Sequence, residues 1–240
     1  MLNFIGTGSA FNTRLGNNSA FIKSGSSILL IDCGGATFSR LQKFDILSGI
    51  SHIYVLITHL HPDHVGSLGD LVFYSFYKAH HKIFLMTPAS HSLEALLTQM
   101  GIDKNLYNMV DLKYNNCITS PEMDVTIEYF KAEHVSNLYC YSYMLTYDGK
   151  SIYYSGDSNN ISSEILEKLY SNKIDYLYQD IFMAPHKNLI HMSFDKLCSL
   201  IKSEYRHKVF CMHLNEEFDA ELALSAGFKV VQGPITDNEV

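Results

Sequence analysis

The sequence predicts an α/β protein built as an αββα sandwich, two mixed β-sheets flanked by helices in one domain spanning 1–240. Three observations lead there. Eleven short apolar or alternating runs are bounded by Gly, Asn, Asp or Pro, as strands are. Helical periodicity falls between them rather than in a separate block. Strands follow one another directly at the start of each half of the chain, whereas strand–helix alternation closes each half, so each half supplies a mixed sheet with one face to bury.

Taken in order, the expected strands are LNFIG, SAFIKS, SILLIDCG, HIYVLIT, KIFLMT, DVTIEYFKA, YCYSYMLTY, KSIYYSG, IDYLYQD, HKVFCMH and FKVVQG. Helices are expected near 36–47, 66–80, 90–100, 162–171, 193–204 and 217–226. Asp148-Gly149 separates two strand runs and predicts a tight hairpin with both turn residues at positive φ.

Composition narrows the function. A formal charge of −7 argues against a protein that tracks nucleic-acid backbones. The densest basic run, KSEYRHK at 202–208, is short and reads as a solvated helix end. No apolar run approaches the roughly 18 residues of a membrane span, and the N-terminus MLNFIGTGSA reads as a strand entering a glycine turn rather than as a signal peptide. Five scattered cysteines, never in CxxC spacing, argue against structural disulfides or a thiolate zinc knuckle and point to the cytoplasm.

The densest chemistry lies in THLHPDHVGS, residues 58–67. His59, His61, Asp63 and His64 sit where a buried strand ends and a helix begins. Imidazole and carboxylate ligands suit zinc. Alternate residues of an extended stretch face the same way, so His59 and His61 can grip one ion; Asp63 and His64, beyond the turn at Pro62, can address a second.

HLHPDH resembles the HxHxDH motif of the metallo-β-lactamase fold superfamily, and the order of elements along the whole chain is similar to that family's. The resemblance implies three further ligands, for which FKAEHVSN offers His134, IYYSGDSN offers Asp157 and KVFCMHLNE offers His213. On that pattern His59, His61 and His134 hold one Zn2+, Asp63, His64 and His213 hold the other, and Asp157 bridges both; Mn2+ is the alternative metal. Two such ions about 3.5–4 Å apart serve an in-line displacement on phosphodiesters, lactones, thioesters or β-lactams, and fold alone does not choose among them.

The opening FIGTGSAFNTRLGNNSAFI resembles the start of the tRNase Z-like phosphodiesterase branch, which makes Asn18 and Ser19 candidate substrate contacts beside the plainer role of a hairpin connection. That branch also carries a carboxylate–histidine pair on HEAT and HST motifs. YQDIF and IHMSF stand in corresponding order, with Asp in place of Glu and Met-Ser in place of Ser-Thr, so Asp180 and His191 are the candidates. His186 is the rival for His191. A carboxylate that orients an imidazole lets it stabilise a phosphoryl oxygen and protonate a leaving alkoxide. His191, Asp180 and Asp63 are thus the residues expected to take part in the chemistry.

True tRNase Z enzymes carry an arm between the third histidine ligand and the bridging aspartate. Here His134 and Asp157 are only 23 positions apart, room for one hairpin. Armless relatives include phosphodiesterases that open cyclic mononucleotides, among them anti-Pycsar immune-evasion enzymes of phages and bacteria. The resulting expectation is a dizinc hydrolase of a small, cyclic nucleotide phosphodiester, acting as a homodimer without extended nucleic acid or membrane. An RNA 3′-processing endoribonuclease is the alternative, and a non-catalytic binding module on the same fold is a third. A β-lactamase is disfavoured by the missing signal peptide, and a glyoxalase-type thioesterase by the mere 27 residues after His213. The aromatics Phe73, Tyr74, Phe76 and Tyr77 read as helical core or dimer interface before base-stacking platforms. The stretch 103–116 reads as a lid, a subunit contact or a plain loop.

Overall fold

The computed structural model describes residues 1–113, 116–120, 122–184 and 190–234. The chain divides into two compact units, one made chiefly of Leu2–Lys113 and the other chiefly of Asp124–Val231.

The first unit carries a six-stranded sheet in the order β1-β2-β3-β4-β5-β6. Its strands are β1 (Asn3–Gly6), β2 (Ser19–Ser24), β3 (Ser27–Ile31), β4 (His52–Leu56), β5 (Phe84–Thr87) and β6 (Asn108–Asp111). The first three run antiparallel and the rest parallel. All five residues of β3, SILLI, are buried, the pattern of a central strand covered on both faces. Parallel neighbours need crossovers, supplied by α1 (Thr37–Lys43), by α2 (Pro62–Val65) with α3 (Leu68–Tyr77), and by α4 (Ser90–Gln99). Their inner faces, among them Leu41, Leu68, Leu71, Val72, Leu93 and Leu97, join Ile28, Leu30, Ile53, Val55 and Leu85 in one core.

The helix expected over 66–80 is α3, Leu68–Tyr77, and a short helix, α2, precedes it where the sequence predicts a turn at Pro62. Pro62 occupies the first turn of α2, where its missing N–H costs nothing. The chain then breaks at Gly66-Ser67, because the Ser67 hydroxyl accepts the Phe38 amide and donates to the Gly34 carbonyl. The strand β6 lies inside the stretch expected to be loop or lid. Its sequence NMVD holds only two apolar residues and is recruited by pairing with β5, Leu85 opposite Met109. Residues 114 and 115 of that stretch lie outside the described residues.

In the second unit a seven-stranded sheet runs β13-β12-β11-β10-β9-β8-β7. The strands are β7 (Asn116–Ser120), β8 (Met123–Lys131), β9 (Tyr141–Tyr147), β10 (Lys150–Tyr154), β11 (Tyr176–Asp180), β12 (Val209–Met212) and β13 (Lys229–Val230). The β9–β10 hairpin turns through Asp148 (φ 51°) and Gly149 (φ 68°), as the sequence predicts. From β10 onward the pairing is parallel, with crossovers through α5 (Ser163–Tyr170), α6 (Phe194–Leu200) and α7 (Ala220–Ser225). Each helix starts where a side chain accepts an otherwise unmatched amide: Ser162 from Ile165, Ser193 from Lys196, Asp219 from Leu222. The helix expected to 204 stops at Leu200. The basic run beyond it is a 3₁₀ turn, Ser203–Lys208, whose Arg206 guanidinium donates to the carbonyls of Cys198, Ile201 and Ala226. That arginine is committed to chain packing, not to phosphate.

Two mixed sheets flanked by helices agree with the predicted fold class. The parallel stretches also decide where chemistry gathers, because the C-terminal ends of parallel strands share one sheet edge, the usual place for α/β sites. In the first unit that edge carries Asp32 after β3 and Thr58–His64 after β4. In the second it carries Asp157, Asp180 and His213 after β10, β11 and β12; β8, two antiparallel steps from β10, delivers His134 to the same edge.

Candidate metal centre

In the first unit the HLHPDH loop is held from beneath by Asp32, a residue that the sequence analysis passed over. Asp32 is fully buried and sits at φ 64°, a left-handed conformation that non-glycine residues adopt at a cost. Its carboxylate accepts the Thr58 amide (2.8 Å) and hydroxyl (2.7 Å) and faces His64 Nδ1 at 2.8 Å. Burial pushes the Asp32 carboxyl above its ordinary range, with His64 and Thr58 opposing that shift. With Nδ1 of His64 committed to Asp32, its Nε2 faces Asp63 Oδ2 at 3.3 Å. The Thr58 hydroxyl, donating to Asp32, receives Nδ1–H of His59 at 3.1 Å. The opposite nitrogen of His59 then lies 2.9 Å from His61 Nδ1, a pair of ring nitrogens that a proton or a cation must reconcile. Gly34 makes the approach of this loop feasible: a Cβ there would lie 1.9 Å from the Asp63 carbonyl oxygen.

Asp32→Asn tests this support directly. The amide replaces an acceptor oxygen with a donor among groups that already donate. Stability is expected to fall by about 1–3 kcal/mol and metal affinity by about 10–100-fold, read by thermal unfolding and metal titration.

In the second unit Asp157 presents its two oxygens to different histidines. Oδ2 lies 3.7 Å from His134 Nε2, and Oδ1 lies 3.6 Å from His213 Nε2. Both separations exceed a hydrogen bond. They suit ligands of a shared cation, since two bonds of roughly 2.0–2.2 Å at a tetrahedral angle place donor atoms about 3.4 Å apart. His134 Nδ1 donates to the Ile190 carbonyl (2.8 Å), which leaves Nε2 as the atom with a lone pair to offer. The donor chemistry thus fits divalent metal: imidazole nitrogens with their second nitrogen tied back, and a carboxylate with one oxygen for each side.

Asp180 is fully buried beside them. It accepts the Ser158 amide (3.1 Å), faces His191 Nδ1 at 2.7 Å and faces His213 Nδ1 at 3.3 Å. Asp157, Asp180, His191 and His213 form one cluster whose candidate donor atoms all lie within 4.8 Å of one another. Burial opposes the charged form of His191, but Asp180 and then Asp157 outweigh it and hold the imidazole above its ordinary range. His213 reaches this cluster at φ 57°, a left-handed backbone like that of Asp32 in the first unit.

His59, His134, Asp157, Asp180 and His213 end or follow strands, Asp63 and His64 lie on α2, and His191 precedes α6; within each unit these neighbours meet. Ser19 is fully buried, and its hydroxyl donates to the Asp32 carbonyl (2.9 Å), so it props the residue beneath the metal loop; Asn18 is buried next to it. His186, the rival of His191, lies outside the described residues. Of the aromatic run, Phe76 packs on the core, while Phe73 and Tyr77 are exposed one helical turn apart with ring centroids 6.1 Å from each other. The second contact of Asp180, to His213, and the Asp32 support were both missed. An aspartate closing the apolar run ILLID was the available signal for Asp32.

The fold and these strand-end donors define a protein of the metallo-β-lactamase fold. A solved structure of a metallo-β-lactamase fold protein, YhfI from Bacillus subtilis, superposes with a TM-score of 0.75 at 19% identity, covering 96% of this chain and 94% of that one. Zn2+-bound PqqB from Methylobacterium extorquens gives 0.73 at 13% identity over 98% of both chains. The family model described as Anti-Pycsar protein Apyc1 matches residues 1–232, and the chain belongs to that family. It is 27% identical to the Anti-Pycsar protein Apyc1 of Paenibacillus xerothermodurans, over 96% of this chain and 94% of that protein. It is 30% identical to that of Bacillus phage BSP38, over 91% and 90%. Among the described residues no helix is long and apolar enough to cross a membrane.

Proposed function

We propose that this protein is a metal-dependent phosphodiesterase that opens a cyclic mononucleotide. His59, His61 and His134 would hold one zinc ion, Asp63, His64 and His213 the other, and Asp157 both. The observation that carries the reading is Asp157, whose two oxygens face two different histidines at ligand spacing beside an Asp180–His191 pair. Membership of the Anti-Pycsar protein Apyc1 family supports the choice of a small nucleotide over RNA. So does the chain between His134 and Asp157, which holds one hairpin and no arm.

Two divalent cations bound to these residues would supply an activated water as nucleophile and neutralise charge on the phosphoryl oxygens. The chain's own groups do the rest. Asp180 fixes the His191 ring through Nδ1, so Nε2 is the atom turned to substrate. As the phosphorus–oxygen bond of the ring breaks, the Nε2 proton passes to the departing sugar oxygen. The product is a nucleoside monophosphate with a free hydroxyl, and Asp180 stabilises the imidazolium before transfer. Asp180 also faces Nδ1 of His213, so one carboxylate orients both the acid and a ligand.

The test is turnover of the four cyclic mononucleotides, a generic aryl phosphodiester and a tRNA precursor, with and without chelator. Metal-dependent opening of at least one cyclic nucleotide is expected. Cleavage of the tRNA precursor alone would move the assignment to RNA processing. No turnover by metal-loaded protein would leave a binding module.

A further inference from the structure

The Asp180–His191 pair rests on a wider hydrogen-bond network. Gln179 precedes Asp180 on β11, a strand paired on both sides, and is fully buried. Its Nε2 donates to the Ser158 carbonyl (3.0 Å) and to the Asp180 carbonyl (3.1 Å). Among the described residues its Oε1 has no hydrogen-bond partner. Burying such an acceptor costs stability, a cost that an unbranched apolar side chain of similar length would avoid. Packing alone therefore does not account for a glutamine at this position.

Ser158 does. Its backbone is held at both ends by adjacent residues of β11: its carbonyl accepts Gln179 Nε2, and its amide donates to Asp180 Oδ2 (3.1 Å). That same oxygen faces His191 Nδ1 at 2.7 Å. The Asp180 amide donates to the Ser155 hydroxyl (3.0 Å), which donates to the Gly156 carbonyl (2.6 Å). Beyond Ser158 the turn is tied to Glu133, whose carbonyl accepts the Asn159 amide (2.8 Å) and whose Oε1 accepts Asn160 Nδ2 (2.9 Å). Those bonds act on residues 159 and 160; the side chain that reaches the Ser158 carbonyl is Gln179.

We infer that Gln179 is a positioning residue of the acid pair: it fixes Ser158, whose amide fixes the Asp180 carboxylate, which sets the direction in which His191 presents its proton. The effect on turnover rests on the proposed phosphodiesterase reading; the placement of the His191 ring does not. With two donors at fixed positions, Asp180 Oδ2 has one orientation. Without Gln179 the Ser158 peptide is free to withdraw, and the carboxylate and the imidazole turn with it. A reacting group displaced by about 1 Å can lose about 100-fold in rate.

The experiment compares zinc-loaded parent, Gln179→Met and Gln179→Glu in two arms. One measures kcat and KM on a cyclic mononucleotide and on an aryl phosphodiester. The other follows, by proton NMR without substrate, the low-field Nδ1–H resonance of His191, identified by its absence from His191→Ala. Gln179→Met is expected to lower kcat on the cyclic nucleotide by about 10–100-fold, with KM near that of the parent, and to shift or broaden the resonance. The aryl substrate, whose leaving group needs little protonation, is expected to lose far less; a merely loosened fold would slow both substrates alike. Gln179→Glu stays protonated when buried and keeps one donor, so it is expected to restore part of both readouts. If no cyclic nucleotide is opened, the phosphodiesterase reading falls and the resonance alone judges Gln179. An unaltered resonance in Gln179→Met, or equal losses on the two substrates, would overturn the inference.

Discussion

Asp157→Ala is expected to reduce turnover in the proposed phosphodiesterase assay by about a thousandfold or more and to lower bound metal measured by elemental analysis. The magnitude follows from the role of the residue. Metal-ion charge stabilisation contributes several kcal/mol to such a transition state, and each 1.36 kcal/mol is tenfold in rate. Among the described residues Asp157 is the one carboxylate that faces both His134 and His213, so its loss weakens both halves of the proposed ligand set. It is also buried and near His191 (3.9 Å), and removing it takes one negative charge from beside that imidazole. Circular dichroism of the variant separates loss of metal from loss of fold. A variant that keeps its metal content and its rate would remove Asp157 from the centre.

His191→Ala should leave metal content near that of the parent while turnover falls by about 10²–10⁴-fold, the usual contribution of a positioned general acid. Its Nδ1 is occupied by Asp180 at 2.7 Å, so the ring behaves as an oriented proton donor rather than as a sixth imidazole competing for metal. Substrates with a good leaving group need little protonation and should be less affected than a sugar alkoxide, which gives the experiment an internal contrast. Loss of metal in this variant would reassign His191 as a ligand.

Much of the centre was legible along the chain. His59, His61, Asp63 and His64 fall within six residues after an apolar strand, and such density has few uses besides metal. His134, Asp157 and His213 each follow a strand, where side chains emerge from the buried body of a sheet. Hairpin chemistry was equally local: Asp148-Gly149 demands positive φ, and the backbone has it. The misses are of another kind. Strand β6 has no periodicity of its own and exists because β5 offers an unpaired edge. The break between α2 and α3 comes from Ser67 bonding to Gly34 and Phe38, about 30 positions away. The bond from the Ser19 hydroxyl to the Asp32 carbonyl, 13 positions away, likewise has no local signal.

By itself the sequence determined the donor chemistry, the order of the donors and the alternation that makes two mixed sheets, since all of these are written in spacing and residue type. Tertiary structure decided which groups support which. Asp32 locks His64, Ile190 locks His134, and Asp180 serves His191 and His213 together. The reason is parallel pairing. It brings the ends of β10, β11 and β12 to one edge across separations of 26 to 58 residues, and no local pattern records which side chain will meet which once they arrive.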